Sequence, residues 1–171
     1  KLGLADQPTL LCMGGGLGLG LSEALLNTIA MFQNRMQILF VAGKNRELYQ
    51  MLQQRSEFRH PNFRLYAFVD FIDELMDASD LLITKPGGIT CSEAIAKGIP
   101  MILLEPIPGQ EEDNLQYLLE QRLGVAATPS ENTGRLLEQM LENLPKEPPL
   151  CPAPAPGGGK RLIEQLIHHA G

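Results

Sequence analysis

The chain has 171 residues, of which 44% are hydrophobic and 20% are charged, and its formal net charge is −6. This length is enough for one domain with a sizeable core. The negative charge argues against a nucleic-acid-binding surface or an anionic-membrane contact, because both require clustered Lys and Arg. The three cysteines, Cys12, Cys91 and Cys151, follow no disulfide or metal-ligand spacing, so we expect a reducing, cytosolic environment.

Short apolar runs alternate with helix-like segments along most of the chain. The runs predicted to be strands are 9–13, 37–42, 63–68, 81–84, 101–104 and 125–127. The segments predicted to be helices are 22–32, 46–55, 72–78, 91–97, 114–122 and 134–144. This alternation predicts right-handed βαβ units, and the continuously apolar strands predict helices on both faces of the sheet. The predicted fold class is therefore α/β, with a Rossmann-like parallel sheet.

The composition changes after this alternating region. Residues 146–159 (KEPPLCPAPAPGGG) are rich in Pro and then in Gly, which is typical of a linker. An amphipathic helix is predicted over 160–169, and it either packs on the sheet or crosses to another part of a longer protein. The predicted organisation is a binding domain over 1–145, a linker over 146–159 and a C-terminal helical segment over 160–171.

The loops after the predicted strands lie where an open parallel sheet binds ligands, outside the carboxyl ends of its strands. The first of these loops, in MGGGLGLGLSE, places Gly14, Gly15, Gly16 and Gly18 before a helix, so that backbone N–H groups can approach an anion. The alternative is a tight turn that requires positive φ. The loop does not fit the dinucleotide fingerprint, and GKN at 43–45 does not fit Walker A, so NAD and P-loop ATP sites are disfavoured.

The loop KPGGITCSE is more specific. Pro86 restricts the backbone, while Gly87 and Gly88 allow a ligand to approach it closely. The N–H groups of Gly88, Ile89 and Thr90 are expected to point at an anion from the start of a helix.

Two features of this loop each permit a structural and a functional interpretation. Lys85 is either a solvated lysine at a strand end or a source of positive charge for the ligand. Thr90 and Glu93 have the spacing of a capping box, Thr-x-x-Glu. In the functional alternative, Thr90 binds a phosphate and Glu93 accepts hydrogen bonds from two ribose hydroxyls.

Amide and carboxylate side chains are concentrated in the loop PIPGQEEDN. They are Gln110, Glu111, Asp113 and Asn114, directly after Gly109. Such side chains recognise sugar hydroxyls, which both donate and accept hydrogen bonds. The alternative is a polar loop in which Asp113 caps the next helix. A metal site on Glu111, Glu112 and Asp113 is disfavoured, because consecutive side chains diverge.

The sequence contains no evident Ser/His/Asp or Cys/His arrangement, so it predicts a binding half without its own general base. Cys91 lies near a predicted helix start, which can lower a thiol pKa. The alternative is that Cys91 packs in the core.

The segment ITKPGGITCSEAIAKGIPMILLEPIPGQEEDN resembles the C-terminal, nucleotide-sugar-binding domain of diacylglycerol glycosyltransferases. LLCMGGGLGLG, LFVAGKNREL and YAFVDFIDELMDASDLLITKPGG follow the same pattern in the same order, and the likeness covers roughly residues 9–142. This family includes bacterial processive glucosyltransferases and monogalactosyldiacylglycerol synthases. The lipid II N-acetylglucosaminyltransferase is similar more remotely.

The resemblance implies a GT-B glycosyltransferase, in which two Rossmann-like domains face each other across a cleft. This chain would be the half that binds UDP-glucose or UDP-galactose. The diacylglycerol acceptor and the catalytic base would belong to an N-terminal half absent from this chain, so the chain alone is expected to transfer little sugar. The implied reaction inverts the anomeric carbon without a metal or other cofactor. The implied location is peripheral, on the cytoplasmic face of the membrane.

The resemblance also implies roles for single residues on the nucleotide side of the site. The loop of Gly14, Gly15, Gly16 and Gly18 would line the cleft near the diphosphate and the sugar. The residues expected beside the nucleoside are Gly43, Lys44 and Asn45, with Phe68 and Val69 holding the uracil edge through backbone groups.

On the other side, the resemblance implies contacts to the diphosphate, the ribose and the sugar. The diphosphate loop would be Lys85, Pro86, Gly87, Gly88, Ile89 and Thr90. Glu93 would accept the ribose hydroxyls. The sugar would be held at the segment of Gly109, Gln110, Glu111, Asp113 and Asn114.

Two other hypotheses remain open. One is the donor half of a lipid II-type enzyme or of a sugar-nucleotide epimerase. The Gln110-Glu111 pair follows the glycolipid enzymes and favours a hexose over N-acetylglucosamine. The other is a stand-alone nucleotide-binding regulatory domain. A second Rossmann-like pattern encoded upstream would favour the transferase, and a natural start near Lys1 would favour the regulatory domain.

Overall fold

The computed structural model describes residues 2–14, 21–127 and 132–144. Within these ranges the strands are β1 (Thr9–Met13), β2 (Gln37–Val41), β3 (Phe63–Tyr66), β4 (Leu81–Thr84), β5 (Met101–Leu103) and β6 (Gly124–Ala126). The helices are α1 (Glu23–Met31), α2 (Arg46–Gln54), α3 (Ile72–Asp77), α4 (Gly88–Lys97), α5 (Gln110–Glu120) and α6 (Thr133–Asn143). A short 3₁₀ helix, Ser56–Arg59, lies between α2 and β3.

The strands form one parallel sheet in the order β3-β2-β1-β4-β5-β6. The chain order reverses between β1 and β4, and this switch point is where doubly wound sheets open a crevice for a ligand. Met13, the last residue of β1, is level with Val41 of β2 and Thr84 of β4. The loops that leave these three strands therefore start side by side.

The core lies on both faces of the sheet because successive strand residues point in opposite directions. Leu10 and Cys12 of β1 contribute to one buried cluster, which also contains residues of α1, α2 and α6. Leu11 and Met13 contribute to the opposite cluster, with residues of α3, α4 and α5. The prediction of a parallel sheet covered by helices on both faces is confirmed.

Two helices begin earlier than the sequence predicted. The prediction placed the start of α4 at 91, but the Cys91 N–H donates to the carbonyl of Gly87 (3.0 Å), which makes Gly88 the first helical residue. The prediction placed the start of α5 at 114, but the Glu112 N–H donates to the carbonyl of Gly109 (2.9 Å), and α5 starts at Gln110. The glycines and the acidic run were assigned to loops, although acidic residues are favourable in the first turn of a helix.

The remaining predicted boundaries agree with the structure to within two residues, as at β3, which ends at Tyr66 rather than at 68. The linker predicted over 146–159 and the helix predicted over 160–169 lie outside the described residues. None of the helices in the described ranges is both long and apolar enough to cross a membrane.

Candidate functional site

The loops singled out from the sequence leave the carboxyl ends of neighbouring strands. Gly14 follows β1 and is buried, whereas Gly15, Gly16 and Gly18 lie outside the described residues. The loops after β2, β3, β4 and β5 carry the other candidate residues. Since the strands are parallel, the described candidate loops share one edge of the sheet.

The N-terminus of α4 projects from this edge. Gly87 is its N-cap, in an extended conformation (φ −74°, ψ 133°), and the Gly87 N–H donates to the Lys85 carbonyl (2.7 Å). The first N–H groups of a helix have no acceptor within the helix, and here they belong to Gly88, Ile89 and Thr90. A Cβ atom added to Gly87 would meet nothing within 4 Å, so a ligand has open space in front of this turn.

The capping-box interpretation of Thr90 and Glu93 is wrong. Thr90 is the third residue of α4 rather than its N-cap, so its side chain cannot close a box with Glu93. Glu93 is exposed and forms no hydrogen bond or ion pair with the described residues. Helix capping therefore does not account for either side chain.

Lys85 is buried, with 8% of its surface exposed, so the interpretation as a solvated lysine is also wrong. Its ammonium lies 4.0 Å from a carboxylate oxygen of Glu111. Burial of a charged group is costly unless an opposite charge lies nearby. The same Glu111 oxygen accepts a hydrogen bond from the Ile107 N–H (2.7 Å), so the loop after β5 folds back towards Lys85.

The polar segment predicted to be a loop is the first turn of α5. Gly109 is its N-cap and has φ +105°, so Asp113 does not cap this helix. The Glu112 carboxylate accepts a hydrogen bond from the Gly109 N–H (2.9 Å), whereas the Glu111 carboxylate reaches Ile107. The two carboxylates thus point to different backbone groups, while Gln110 and Asp113 are exposed.

The sequence did not single out Ile107 or Glu112, although both fix this turn. The spacing of Gly109 and Glu112, an N-cap position followed three residues later by Glu, is the signal that could have indicated this helix start. A second link joins α5 to the loop after β4: the Asn114 side-chain Nδ2 donates to the Pro86 carbonyl (3.0 Å).

The loops after β2 and β3 also meet. Gly43 has φ +64°, and Asn45 caps α2 by accepting a hydrogen bond from the Leu48 N–H (2.9 Å). Between them, the Lys44 ammonium lies 5.5 Å from the centre of the Phe68 ring, within cation–π range. The Phe68 side chain is 61% exposed. These two loops form a surface with an aromatic ring and a positive charge next to each other.

Cys91 packs beneath the start of α4. Burial, together with the negative charge of Glu111, raises the pKa of the Cys91 thiol to about 11. The alternative of a lowered thiol pKa is wrong, because burial disfavours the charged thiolate. Cys91 is therefore a core residue.

The fold and the site define a Rossmann-like domain with a helix N-terminus at its ligand-binding edge. Residues 9–155 match the family model described as the glycosyltransferase family 28 C-terminal domain. The chain belongs to this family, and the expected membership in a glycosyltransferase family is confirmed.

Comparison with individual proteins gives the same result. The chain is 33% identical over 139 residues to the processive diacylglycerol beta-glucosyltransferase of Staphylococcus carnosus. This alignment covers 81% of this chain and 35% of that relative. The chain thus spans about a third of the length of this curated relative.

Solved glycosyltransferases share the fold. WaaG, a glycosyltransferase involved in lipopolysaccharide biosynthesis, matches with a TM-score of 0.61 and 18% identity over 98% of this chain and 43% of WaaG. The Streptomyces glycosyltransferase SsfS6, in complex with thymidine diphosphate, matches with a TM-score of 0.53 and 18% identity over 96% of this chain and 43% of SsfS6. These similarities confirm the predicted fold.

Proposed function

We propose that this chain is the UDP-sugar donor domain of an inverting glycosyltransferase that transfers glucose or galactose to diacylglycerol. The observation that carries the proposal is the N-terminus of α4, which exposes the first-turn N–H groups at the switch-point edge of the sheet. Family membership and the name of the Staphylococcus carnosus relative, a diacylglycerol beta-glucosyltransferase, support the choice of reaction.

The diphosphate would bind at the first turn of α4. The N–H groups of Gly88, Ile89 and Thr90, together with the positive end of the helix dipole, suit phosphate oxygens. The buried Lys85 ammonium, which Glu111 approaches only to 4.0 Å, adds positive charge nearby. When the bond between the sugar and the diphosphate breaks, negative charge develops on the leaving diphosphate, and fixed donors of this kind stabilise it. The proposed reaction uses no metal or other cofactor, as the resemblance implies.

The nucleoside would lie over the loops after β2 and β3. The backbone of Phe68 and Val69 would hold the uracil edge, with Lys44 and Asn45 beside it. Glu93 would accept hydrogen bonds from the two ribose hydroxyls, a role that suits an exposed carboxylate without a partner among the described residues. The thymidine diphosphate bound to SsfS6 supports a nucleoside diphosphate as the ligand of this fold.

The sugar would lie against the first turn of α5, where Gln110 and Asp113 are exposed and Glu111 is close by. The lipid acceptor and the general base would come from the part of the relatives' length that this chain does not match. The complete protein would associate peripherally with the cytoplasmic face of the membrane.

The test is a calorimetric titration of the 171-residue chain with UDP and with ADP, repeated with the Glu93→Gln variant. We expect UDP to bind more tightly than ADP. Since hydrogen bonds to a charged group contribute about 1.5–3 kcal/mol, Glu93→Gln should weaken UDP binding by about ten-fold or more. Its thermal stability should be unchanged, because Glu93 forms no bond with the described residues.

Glu74→Gln is the matched control, since Glu74 is an exposed carboxylate on α3, outside the proposed site, and its side chain forms no hydrogen bond or ion pair with the described residues. This variant should bind UDP like the unmodified chain. Equal affinity for UDP and ADP, or no detectable UDP binding by the folded chain, would contradict the proposal.

A further inference from the structure

Asn114 connects the two sides of the candidate site. Its side-chain Nδ2, in the second turn of α5, donates a hydrogen bond to the carbonyl of Pro86 (3.0 Å), 28 residues earlier in the chain. Pro86 directly precedes the two glycines that open α4. One N–H of the Asn114 side-chain amide is therefore used within the protein.

The other hydrogen bonds of the glycine loop are local. The Gly87 N–H donates to the Lys85 carbonyl (2.7 Å), and the Gly87 and Gly88 carbonyls accept bonds from the first turns of α4. Among the described residues, the Asn114 bond is the one that reaches this loop from another helix. Gly87 and Gly88 have no side chains, and a Cβ atom added to Gly88 would have the Asn114 Nδ2 as its nearest neighbour, at 3.8 Å. Glycine has the largest conformational freedom of any residue. A side-chain bond to the preceding carbonyl therefore limits the orientations that this loop can adopt.

A second contact joins the same two segments. Glu111, one turn before Asn114 on α5, approaches the Lys85 ammonium at 4.0 Å. Lys85 and Pro86 are adjacent in sequence, so the start of α5 contacts two consecutive residues of the loop after β4. The first turn of α5, where the sugar is proposed to lie, is thus attached to the loop where the diphosphate is proposed to lie.

We infer that Asn114 is a positioning residue, whose bond to Pro86 holds the 86–88 loop so that the first N–H groups of α4 point at the diphosphate. This inference rests on the proposed donor site. A positioning role and a sugar-binding role for Asn114 predict different effects on ligand binding. Substitution of a residue that contacts the sugar changes the binding of UDP-glucose but not of UDP. Substitution of a residue that positions the diphosphate loop changes the binding of both.

The test compares Asn114→Asp and Asn114→Ala in the 171-residue chain. Asp has nearly the shape of Asn but, when ionised, cannot donate to the Pro86 carbonyl. Asn114→Ala should weaken UDP binding by about five-fold, the change expected for loss of one neutral hydrogen bond. Asn114→Asp should weaken it at least as much, because its negative charge also repels the diphosphate. Binding of uridine, which has no phosphate, should not change. Without any ligand, the NMR amide signals of Gly87 and Gly88 should shift or broaden in both variants.

Gln116→Ala is the matched control, because the amide of Gln116 is on the same helix but, among the described residues, bonds only to Glu120, one turn later (2.9 Å). It should leave UDP affinity and the two glycine signals unchanged. Unaltered glycine signals in Asn114→Ala, or UDP affinity unaltered with only UDP-glucose binding weakened, would overturn the inference. If the unmodified chain does not bind UDP, the donor proposal fails, while the ligand-free spectra still decide whether Asn114 positions the loop.

Discussion

At the scale of single residues, the backbone of Gly109 determines where α5 begins. Its angles (φ +105°, ψ −130°) lie in a region that residues with a Cβ rarely adopt. They turn the chain so that the Gly109 carbonyl accepts the Glu112 N–H. The polar residues after Gly109 consequently start a helix rather than continue the loop.

Gly109→Ala should lower the free energy of unfolding by about 1–3 kcal/mol, since Ala is strained at this φ. The cause would be the backbone alone, because an added Cβ would meet nothing within 4 Å. Urea denaturation measures the change. Gly87→Ala is the control, since Gly87 is likewise a helix N-cap with open space but has an ordinary φ of −74°. We expect a smaller loss, below about 1 kcal/mol, because Ala is a poorer N-cap than Gly but is not strained at this φ. Equal losses in the two variants would contradict this explanation.

The individual partners of the site residues could not be predicted from the sequence. The sequence placed Lys85 either in the solvent or near a ligand and gave no indication that Glu111 lies 4.0 Å from its ammonium. The bond between Asn114 and Pro86 likewise joins residues 28 positions apart. Such contacts depend on how two loops approach each other in the folded chain, and local patterns carry no information about that approach.

At the scale of the helices and strands, most of the structure could be predicted. The boundaries of β1 and β4 agree with the sequence prediction, because short apolar runs bounded by glycine or by polar residues are a strong signal for a buried strand. The starts of α4 and α5 were not predicted, although the spacing of Gly109 and Glu112 was a signal for the start of α5. Both begin directly after a glycine, whose conformation the sequence does not determine.

Helix α6 packs against α1 and contributes to the core. Leu137 is fully buried, and a Cβ atom added to Gly134 would lie 3.2 Å from the Thr28 methyl group of α1. Leu137→Ala should therefore lower the free energy of unfolding by about 2–5 kcal/mol, as for other large-to-small core changes. Arg135→Ala, at an exposed position of the same helix, should change it by less than about 0.5 kcal/mol.

Urea denaturation of both variants measures this difference. A loss for Leu137→Ala as small as that for Arg135→Ala would show that α6 is not an integral part of the domain. The expected result would place the end of the cooperative core beyond β6, in agreement with the extent of the family match, residues 9–155.

At the scale of the whole molecule, the strand order explains why the candidate residues meet although 100 positions separate Gly14 from Asn114. The reversal between β1 and β4 creates one crevice at the carboxyl edge, and every described candidate loop borders this edge. The location of the site could therefore be predicted from the alternation of strands and helices, while its ligand depends on the family resemblance.

The most direct test of a UDP-sugar donor domain is a crystal structure of the 171-residue chain with UDP. We predict diphosphate oxygens within hydrogen-bond distance of the N–H groups of Gly88, Ile89 and Thr90, with the uracil beside Phe68 and the ribose hydroxyls on Glu93. UDP bound elsewhere on the chain, or with its diphosphate away from the first turn of α4, would contradict the account.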